Sequence, residues 1–307
     1  MSSEREPAVD AGLVGERRHL LSLAFRMLGT VAEAEDAVQE TYIRWYRMDQ
    51  PERDQIMNPR GWLTRVASRI CLDMLRTARA RRERYVGPWL PEPVVGVDLG
   101  VGPVSPEDRV TLDESVNMAM LVLLESLSPA ERTALVLHDV LSVPYEEIAD
   151  TVGRSEPACR QLVSRARAQV RERSPRFTVD AAQQSAAVDA FLAACTDGRV
   201  TTLVGVLAPD VVLRSDGGGL VSGVARQPVT GADNVARLLL GVAAKHAAFP
   251  WTCRVNEAAG LVFEDAGRVV GVMGFTVADQ RITEIDFVVN PEKLRRVLAP
   301  SRFGEQK

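Results

Sequence analysis

Residues 86–112 hold five Pro and four Gly, too dense a run of backbone breakers for any helix or strand. The chain must therefore fold as separate parts on either side of this stretch. At 307 residues it has length for about two or three domains. With 46% hydrophobic and 25% charged residues, the composition is that of ordinary globular chains and excludes disorder throughout. No apolar run reaches the ~18–20 residues that span a bilayer. Residues 1–10 are polar and carry acids, unlike a signal peptide. Cys71, Cys159, Cys195 and Cys253 stand far apart, with no Cys-x-x-Cys pair, so neither a disulfide framework nor a metal-ligand spacing is expected. The expectation is a reduced, cytoplasmic protein without metal or cofactor.

The net charge of −4 argues against nucleic acid only if charge is spread evenly, and it is not. Arg60 to Arg84 contains eight Arg against Asp73 and Glu83. Arg154 to Arg176 contains seven Arg against Glu156 and Glu172. Two basic clusters in an acidic chain point to a polyanion partner.

Before the break, Thr30 to Glu33 has capping-box form. The helix it starts buries Ala34, Ala37, Val38, Thr41, Trp45 and Met48, and shows Asp36, Gln39 and Glu40 on the other face. That acidic face serves either solubility or docking to a basic partner. Residues 49–57 read as a polar loop, and Asn58-Pro59 as an N-cap and N1 pair. The next helix is expected to bury Trp62, Leu63, Val66, Ile70, Met74 and Ala78. Arg65, Arg69, Arg76, Arg79, Arg81 and Arg82 then face outward, as a solvated face or as phosphate contacts. The spacing of Tyr42, Trp45 and Trp62 favours core packing over base stacking.

After the break, Ser128-Pro129-Ala130-Glu131 starts a helix, and residues 145–171 have helix-turn-helix form. Gly153 supplies the turn and Ser155 caps the second helix. Ala158, Leu162, Val163, Ala166 and Val170 form its buried stripe. Ser155, Glu156, Arg160, Gln161, Ser164, Arg165 and Arg167 are the candidate DNA-reading residues. From about residue 178, helices at 180–198, 200–207 and 232–247 alternate with a strand at 211–214, then strands at 252–263, 269–277 and 282–289. Helices first and an antiparallel meander last imply an α+β domain.

At these residues the chain resembles a family. Ala34 to Tyr42 resembles the core-polymerase-binding helix of bacterial sigma factors, Asn58 to Leu63 with the Arg helix their −10 region, and Leu127 to Arg132 with the helix-turn-helix their −35 region. With no domain between these regions, the chain is similar to the extracytoplasmic-function (ECF) group. Trp89-Leu90-Pro91-Glu92-Pro93, Asp216-Gly217-Gly218-Gly219 and Asn290-Pro291-Glu292-Lys293-Leu294 are similar to motifs of the subgroup that carries a C-terminal SnoaL-like domain, the SigJ-like type.

The resemblance implies a multidomain fold: two all-α sigma domains, the second with a helix-turn-helix, plus a C-terminal α+β cone-like SnoaL-like domain. The implied division is 1–85 for sigma region 2, 86–112 linker, 113–175 for sigma region 4, 176–300 for the SnoaL-like regulatory domain, and 301–307 tail. Asp36, Gln39 and Glu40 are implied to meet the β′ clamp helices of RNA polymerase core, whose β flap is a further implied partner. Asn58, Arg65, Arg69, Arg76, Arg79, Arg81 and Arg82 are implied to serve the −10 element, and residues 155–167 the −35 element. Trp89, Leu90, Pro91, Asp216, Gly217, Gly218, Asn290, Pro291, Lys293 and Leu294 are implied to couple linker and third domain, setting activity in cis.

Asp210, Asp216, His246 and Asp286 could serve catalysis in such a cone, but no spacing among them demands it, so no catalytic residue is assigned. An unidentified small molecule in the cone is a further expectation, and a membrane partner is not. The alternatives are a free-standing, ligand-sensing helix-turn-helix regulator and a DNA-tethered SnoaL-like enzyme.

Overall fold

The Pro- and Gly-rich break does not divide the chain into its two units: segments from both sides of it share one unit, and the start of the linker belongs to the other. The computed structural model describes residues 6–82, 84–95, 118–173, 180–246 and 248–297. One unit comprises residues 6–82 and 123–173; the other comprises 84–95, 118–122 and the described residues from 180 on.

The first unit is all helical. Helices α1 (Glu6–Leu28), α2 (Val31–Arg47) and α4 (Pro59–Arg82) pack on one another. Thr30 caps α2, its hydroxyl accepting from Glu33 N–H at 3.3 Å. The predicted face of α2 is buried except Met48, which is half-exposed. The predicted loop at 49–57 instead contains a short helix, α3 (Gln50–Asp54). Asp49 starts it with a reciprocal capping box: its carboxylate accepts from Glu52 N–H while Glu52 accepts from Asp49 N–H. The buried stripe of α4 is also rotated from the expected one. Leu63, Ala67, Ile70, Cys71, Leu75 and Ala78 are buried, whereas Trp62, Val66 and Met74 are half-exposed.

In the same unit follow α5 (Met118–Glu125), which the unit boundary crosses, α6 (Pro129–Leu135), α7 (Tyr145–Val152) and α8 (Glu156–Arg173). Ser128 and Glu131 form a reciprocal capping box at the start of α6. The turn after it is π-helical, Val136–Val140, which the sequence pattern did not reveal. Arg132 is 2% exposed and donates to Leu124 O at 2.8 Å and Met27 O at 2.6 Å, with Glu125 as its carboxylate partner.

The second unit is built on a six-stranded sheet of order β2-β1-β6-β5-β4-β3. Its strands are β1 (Leu207–Asp216), β2 (Val229–Thr230), β3 (Phe249–Val255), β4 (Ala258–Asp265), β5 (Arg268–Ala278) and β6 (Arg281–Val288). The single strand expected at 252–263 is a hairpin, because Asn256 and Glu257 take positive φ and turn the chain between β3 and β4. The meander β3 to β6 is antiparallel as expected, but β1 joins it parallel to β6. Helices α9 (Ala181–Asp197), α10 (Val200–Val206) and α11 (Ala232–Ala243) cover one face. Phe191, Leu203, Val235, Leu213, Phe275 and Ile285 belong to that core. The opposite face carries a second, smaller core in which Leu90, Val95 and Met118 meet Val262, Val272, Val288 and Leu294 of the short helix α12 (Pro291–Leu294). Alternation along the strands thus gives this sheet two buried faces, one of them covered by the segment ahead of it in sequence.

Candidate functional site

On α2, Asp36 and Gln39 are exposed, and Glu40 is partly exposed and bound to Arg44 at 2.9 Å. Beside them runs an open groove of about 740 Å³ lined by Arg17, Glu35, Gln39, Tyr42, Tyr46 and Arg47. Tyr46 is 53% exposed, an aromatic addition to the acidic face. Trp45 is buried and meets half-buried Trp62 edge to face at 5.3 Å, so both serve packing.

On α4, Asn58 Oδ1 accepts from Gly61 N–H at 3.0 Å and so caps the helix. A pocket of about 240 Å³ opens there, bounded among others by His19, Asn58, Thr64, Arg65 and Thr151. Arg65 is half-buried, with its Nε enclosed and unpaired among the described residues. Burial, then the charges of Arg60 and Arg26, push the His19 imidazole below its usual range. Arg69 is exposed and donates to Asp150 O at 2.9 Å, and Arg76 pairs with Asp73 at 3.0 Å. The side chains of Arg79 and Arg81 lie outside the described ones. Arg82 departs from the expected outward face. It donates to Glu125 and to Leu28 O and lies 3.9 Å from Glu33, because it stands where α4 ends against α1, α2 and α5.

The helix-turn-helix has the expected parts. Gly153 ends α7 at φ +74°, and a Cβ there would touch nothing within 4 Å, so backbone conformation alone favours glycine. Ser155 Oγ accepts from Ala158 N–H at 3.4 Å. Cys159, Leu162, Val163 and Ala166 are buried, whereas Ala158 and Val170 are only partly so. Arg160, Gln161, Ser164, Arg165 and Arg167 are exposed on one helix. Three of these cations are already paired. Arg160 binds Glu156 at 2.9 Å and lies over the Tyr145 ring, Arg165 lies 3.5 Å from Glu131, and Arg167 binds Asp139 through two nitrogens at 2.6 and 2.9 Å. Partial burial would raise the Asp139 carboxyl, but hydrogen bonds from Arg167 and His138 outweigh it and hold the group below the usual carboxylate range. Asp139 sits on the π-helical turn and Arg167 on α8, 28 positions later, so their pairing is a tertiary contact with no signal in helical spacing.

Within the second unit, the three short motifs meet at one carboxylate. Asp216 is 0% exposed. Its Oδ1 accepts from Tyr85 Oη at 2.6 Å and from Gly218 N–H at 3.1 Å. Its Oδ2 accepts from Leu90 N–H at 2.9 Å and from Lys293 Nζ at 2.7 Å. Lys293 also donates to Leu90 O, and its ammonium lies 3.9 Å from the Trp89 ring centre. Asn290 caps α12 and donates from Nδ2 to Tyr85 Oη at 2.8 Å. Gly218 is required twice over: its φ is +62°, and a Cβ would stand 2.5 Å from Asn290 Nδ2. Burial, then the hydrogen bond to Asp216, push the Tyr85 phenol well above its usual range. Tyr85 was missed by motif reading. Lys293 carried a signal, one of three lysines against 34 Arg, and it fills a place where a compact point cation reaches a carboxylate and a carbonyl at once.

The four carboxyl and imidazole groups considered for catalysis do not converge. Asp210 and His246 are exposed, and Asp216 is bound as described. Asp286 is buried on β6 and pairs with Arg214 of β1 at 3.0 Å, Arg214 also holding Glu284. Burial raises the Asp286 carboxyl to about 6 against the pull of Arg214. Among the described residues no cluster of His, Cys, Asp or Glu could hold a metal ion, and no helix is long and apolar enough to cross a membrane.

An acid-faced helix, an Arg-lined helix and a helix-turn-helix in one unit, with an α+β sheet unit sharing the chain, define a DNA-binding protein of several recognition parts. The Sigma-70 region 2 family matches residues 13–81 and the Sigma-70 region 4 family residues 117–170. The chain is 38% identical over 291 residues to the ECF RNA polymerase sigma factor SigJ of Mycobacterium tuberculosis (strain ATCC 25618 / H37Rv), covering 90% of each. It is 37% identical over 300 residues to the probable ECF RNA polymerase sigma factor SigI of Mycobacterium tuberculosis, covering 95% of this chain and 96% of that one. The crystal structure of Mycobacterium tuberculosis SigJ superposes with a TM-score of 0.72 at 34% identity, covering 93% of this chain and 98% of that one. The chain belongs to the ECF RNA polymerase sigma factors. Its fold class is the expected one, two helical sigma regions and a C-terminal α+β domain, and neither alternative function is favoured. Its relatives are sigma factors rather than enzymes, and its family places RNA polymerase core and promoter DNA as its partners.

Proposed function

We propose that this sigma factor directs promoter-specific initiation in the cytoplasm and that its C-terminal domain sets that activity in cis by holding the linker. Asp36, Gln39 and Glu40 dock on the β′ clamp helices, and residues of region 4 approach the β flap. Asn58, Arg65, Arg69 and Arg76, with Arg79 and Arg81, serve the −10 element; Arg82 is reassigned to scaffolding. Ser155, Glu156, Arg160, Gln161, Ser164, Arg165 and Arg167 serve the −35 element. The functional division is 1–85, 86–112, 113–175 and 176–300, with the start of the linker acting as part of the last. The chain performs no catalysis of its own.

The observation that carries the regulatory part is the buried Asp216 carboxylate. It accepts at once from the linker backbone at Leu90 and from Lys293 near the end of the domain. Any change that frees Lys293 from Asp216 also loosens the linker. The test is run-off transcription with core polymerase and the full chain, wild type against Lys293→Met. Promoter-specific initiation by either protein is expected, with at least about a threefold change in the variant, corresponding to roughly 0.6 kcal/mol. No initiation with either protein overturns the promoter reading. Equal initiation by the two overturns regulation through the linker.

A further inference from the structure

Arg160 and Arg167 stand about two turns apart on α8. A chain of side chains from outside that helix joins them. Arg167 holds the Asp139 carboxylate through two nitrogens, at 2.6 and 2.9 Å. Asp139 Oδ1 lies 2.7 Å from His138 Nδ1. A carboxylate only accepts, so the imidazole carries its hydrogen on that nitrogen, and the bond fixes the plane of the ring. The His138 ring in turn meets the Tyr145 ring, with centroids 4.5 Å apart and planes inclined by 32°. The Arg160 guanidinium lies 5.1 Å from the centre of the Tyr145 ring. His138 and Asp139 are consecutive members of the π-helical turn, a kind of element that recurs at functional sites, and Tyr145 is the first residue of α7.

These contacts lie at the surface. The Arg160 side chain is 58% exposed, and His138 and Tyr145 are half-buried. The motif is packed from its other side, by Ile148, Val152, Cys159, Leu162 and Val163. A long arginine on an exposed helix face samples many rotamers, whereas a base edge is read only by a guanidinium in the right place. Glu156, one turn earlier on the same helix, gives Arg160 one tether at 2.9 Å. The Tyr145 ring gives a second tether from a different element. The two respond differently to DNA. A phosphate or base competes with the Glu156 carboxylate for the same N–H groups. An aromatic ring attracts the face of a guanidinium and leaves the N–H fork, which lies in the plane, to a base.

We propose that Tyr145, held in place by the His138 ring, is a positioning residue for base reading by Arg160. Its ring, rather than its hydroxyl, aims the guanidinium at the −35 element. This rests on the reading of α8 as the −35 helix, and adds to it a determinant of specificity that lies outside that helix.

The test uses the full chain assembled with core polymerase and selected on a random-sequence duplex library, the bound DNA being sequenced to give a preference for each base at each position. Tyr145→Phe keeps the ring and Tyr145→Leu removes it, each made with Arg160 present and with Arg160→Ala. Tyr145→Phe is expected to keep the wild-type preferences. Tyr145→Leu is expected to lower the preference at the base or bases that depend on Arg160 by at least about threefold, the size of one exposed cation–π contact. With Arg160→Ala the same substitution is expected to change nothing further, because the platform then has nothing to aim. A residue that merely supports the fold weakens binding in both backgrounds alike. Wild-type preferences in Tyr145→Leu, or an equal loss with and without Arg160, overturn the proposal. So does a Tyr145→Phe variant as damaged as Tyr145→Leu, which makes the hydroxyl a DNA contact. Unchanged preferences in Arg160→Ala alone overturn the reading of α8 and the proposal with it, an outcome told apart because position 145 is untouched.

Discussion

Asp216→Asn is the sharpest single perturbation of the linker node. The substitution keeps size but exchanges one acceptor oxygen for an amide donor. The carboxylate now serves four donors, Tyr85 Oη, Gly218 N–H, Leu90 N–H and Lys293 Nζ. An asparagine can serve the first two through Oδ1, but its NH₂ group then faces the Leu90 N–H and the Lys293 ammonium, donor against donors. Lys293 is 8% exposed, so it cannot recover the loss through water. Removing one partner of a buried ion pair costs about 3–5 kcal/mol, most of it from the uncompensated charge left behind. The assay is urea unfolding of the full chain together with amide exchange at Leu90. A loss of about 3 kcal/mol corresponds to roughly a hundredfold faster exchange where opening limits it. Adding Lys293→Met removes the cation that then faces the amide, so the double variant should be more stable than the sum of single losses by about 2 kcal/mol. A loss below about 1 kcal/mol in Asp216→Asn, with Leu90 exchange unchanged, refutes the view that the linker is held by this charge pair.

Arg160→Ala should reduce discrimination at one or two −35 bases by about 1–3 kcal/mol in competition binding; uniform weakening on all sequences would make Arg160 a phosphate contact. Asp139→Asn removes the acid that binds Arg167, so DNA binding should tighten and its log–log salt slope steepen by up to about one; an unchanged slope would show that Arg167 does not reach phosphate. Asp286 gives the C-terminal domain a pH dependence. Its folded pKa, about 6, lies above the unfolded value, so the folded state takes up the proton first and loses stability as pH rises from about 4 to about 6. Compared with Asp286→Asn across that window, the wild type should lose up to about 3 kcal/mol in urea unfolding; a constant difference would mean that Arg214 holds the carboxylate charged throughout.

Local features were legible in the sequence because local physics sets them. The Ser128 box, the Gly153 turn and the Asn58 cap each depend on residues three or four apart. The buried face of α4 was misread because apolar residues lie on adjacent stripes of that helix, and only packing on α1 and α2 selects Leu63, Ala67, Cys71 and Leu75 over Trp62, Val66 and Met74. Arg82 reads as one more exposed cation until Glu125 is brought to it across 43 positions. The parallel pairing of β1 with β6 has no local signal either, yet it places Arg214 beside Asp286. The three motifs around Trp89, Asp216 and Asn290 were visible as motifs. That they converge on one carboxylate is a tertiary fact, since Leu90 and Asp216 are 126 positions apart.

Among the described residues, the ion pairs at the proposed DNA-facing surfaces differ physically from the pair that holds the linker. Arg160–Glu156, Arg167–Asp139 and Arg76–Asp73 lie on surfaces where each cation is about half-exposed. Such pairs are worth about 0–1 kcal/mol, so a phosphate can displace the acid while the pair keeps the side chain oriented beforehand. Arg132–Glu125 and Lys293–Asp216 are enclosed, and breaking a buried pair costs several times more than breaking a surface one. Salt screens the first class and barely reaches the second. Raising ionic strength should therefore release promoter DNA well before it loosens the linker from Asp216. On the proposed reading, the pairs facing DNA are exchangeable, whereas the enclosed Asp216–Lys293 pair resists salt and is released by a partner that competes for either group.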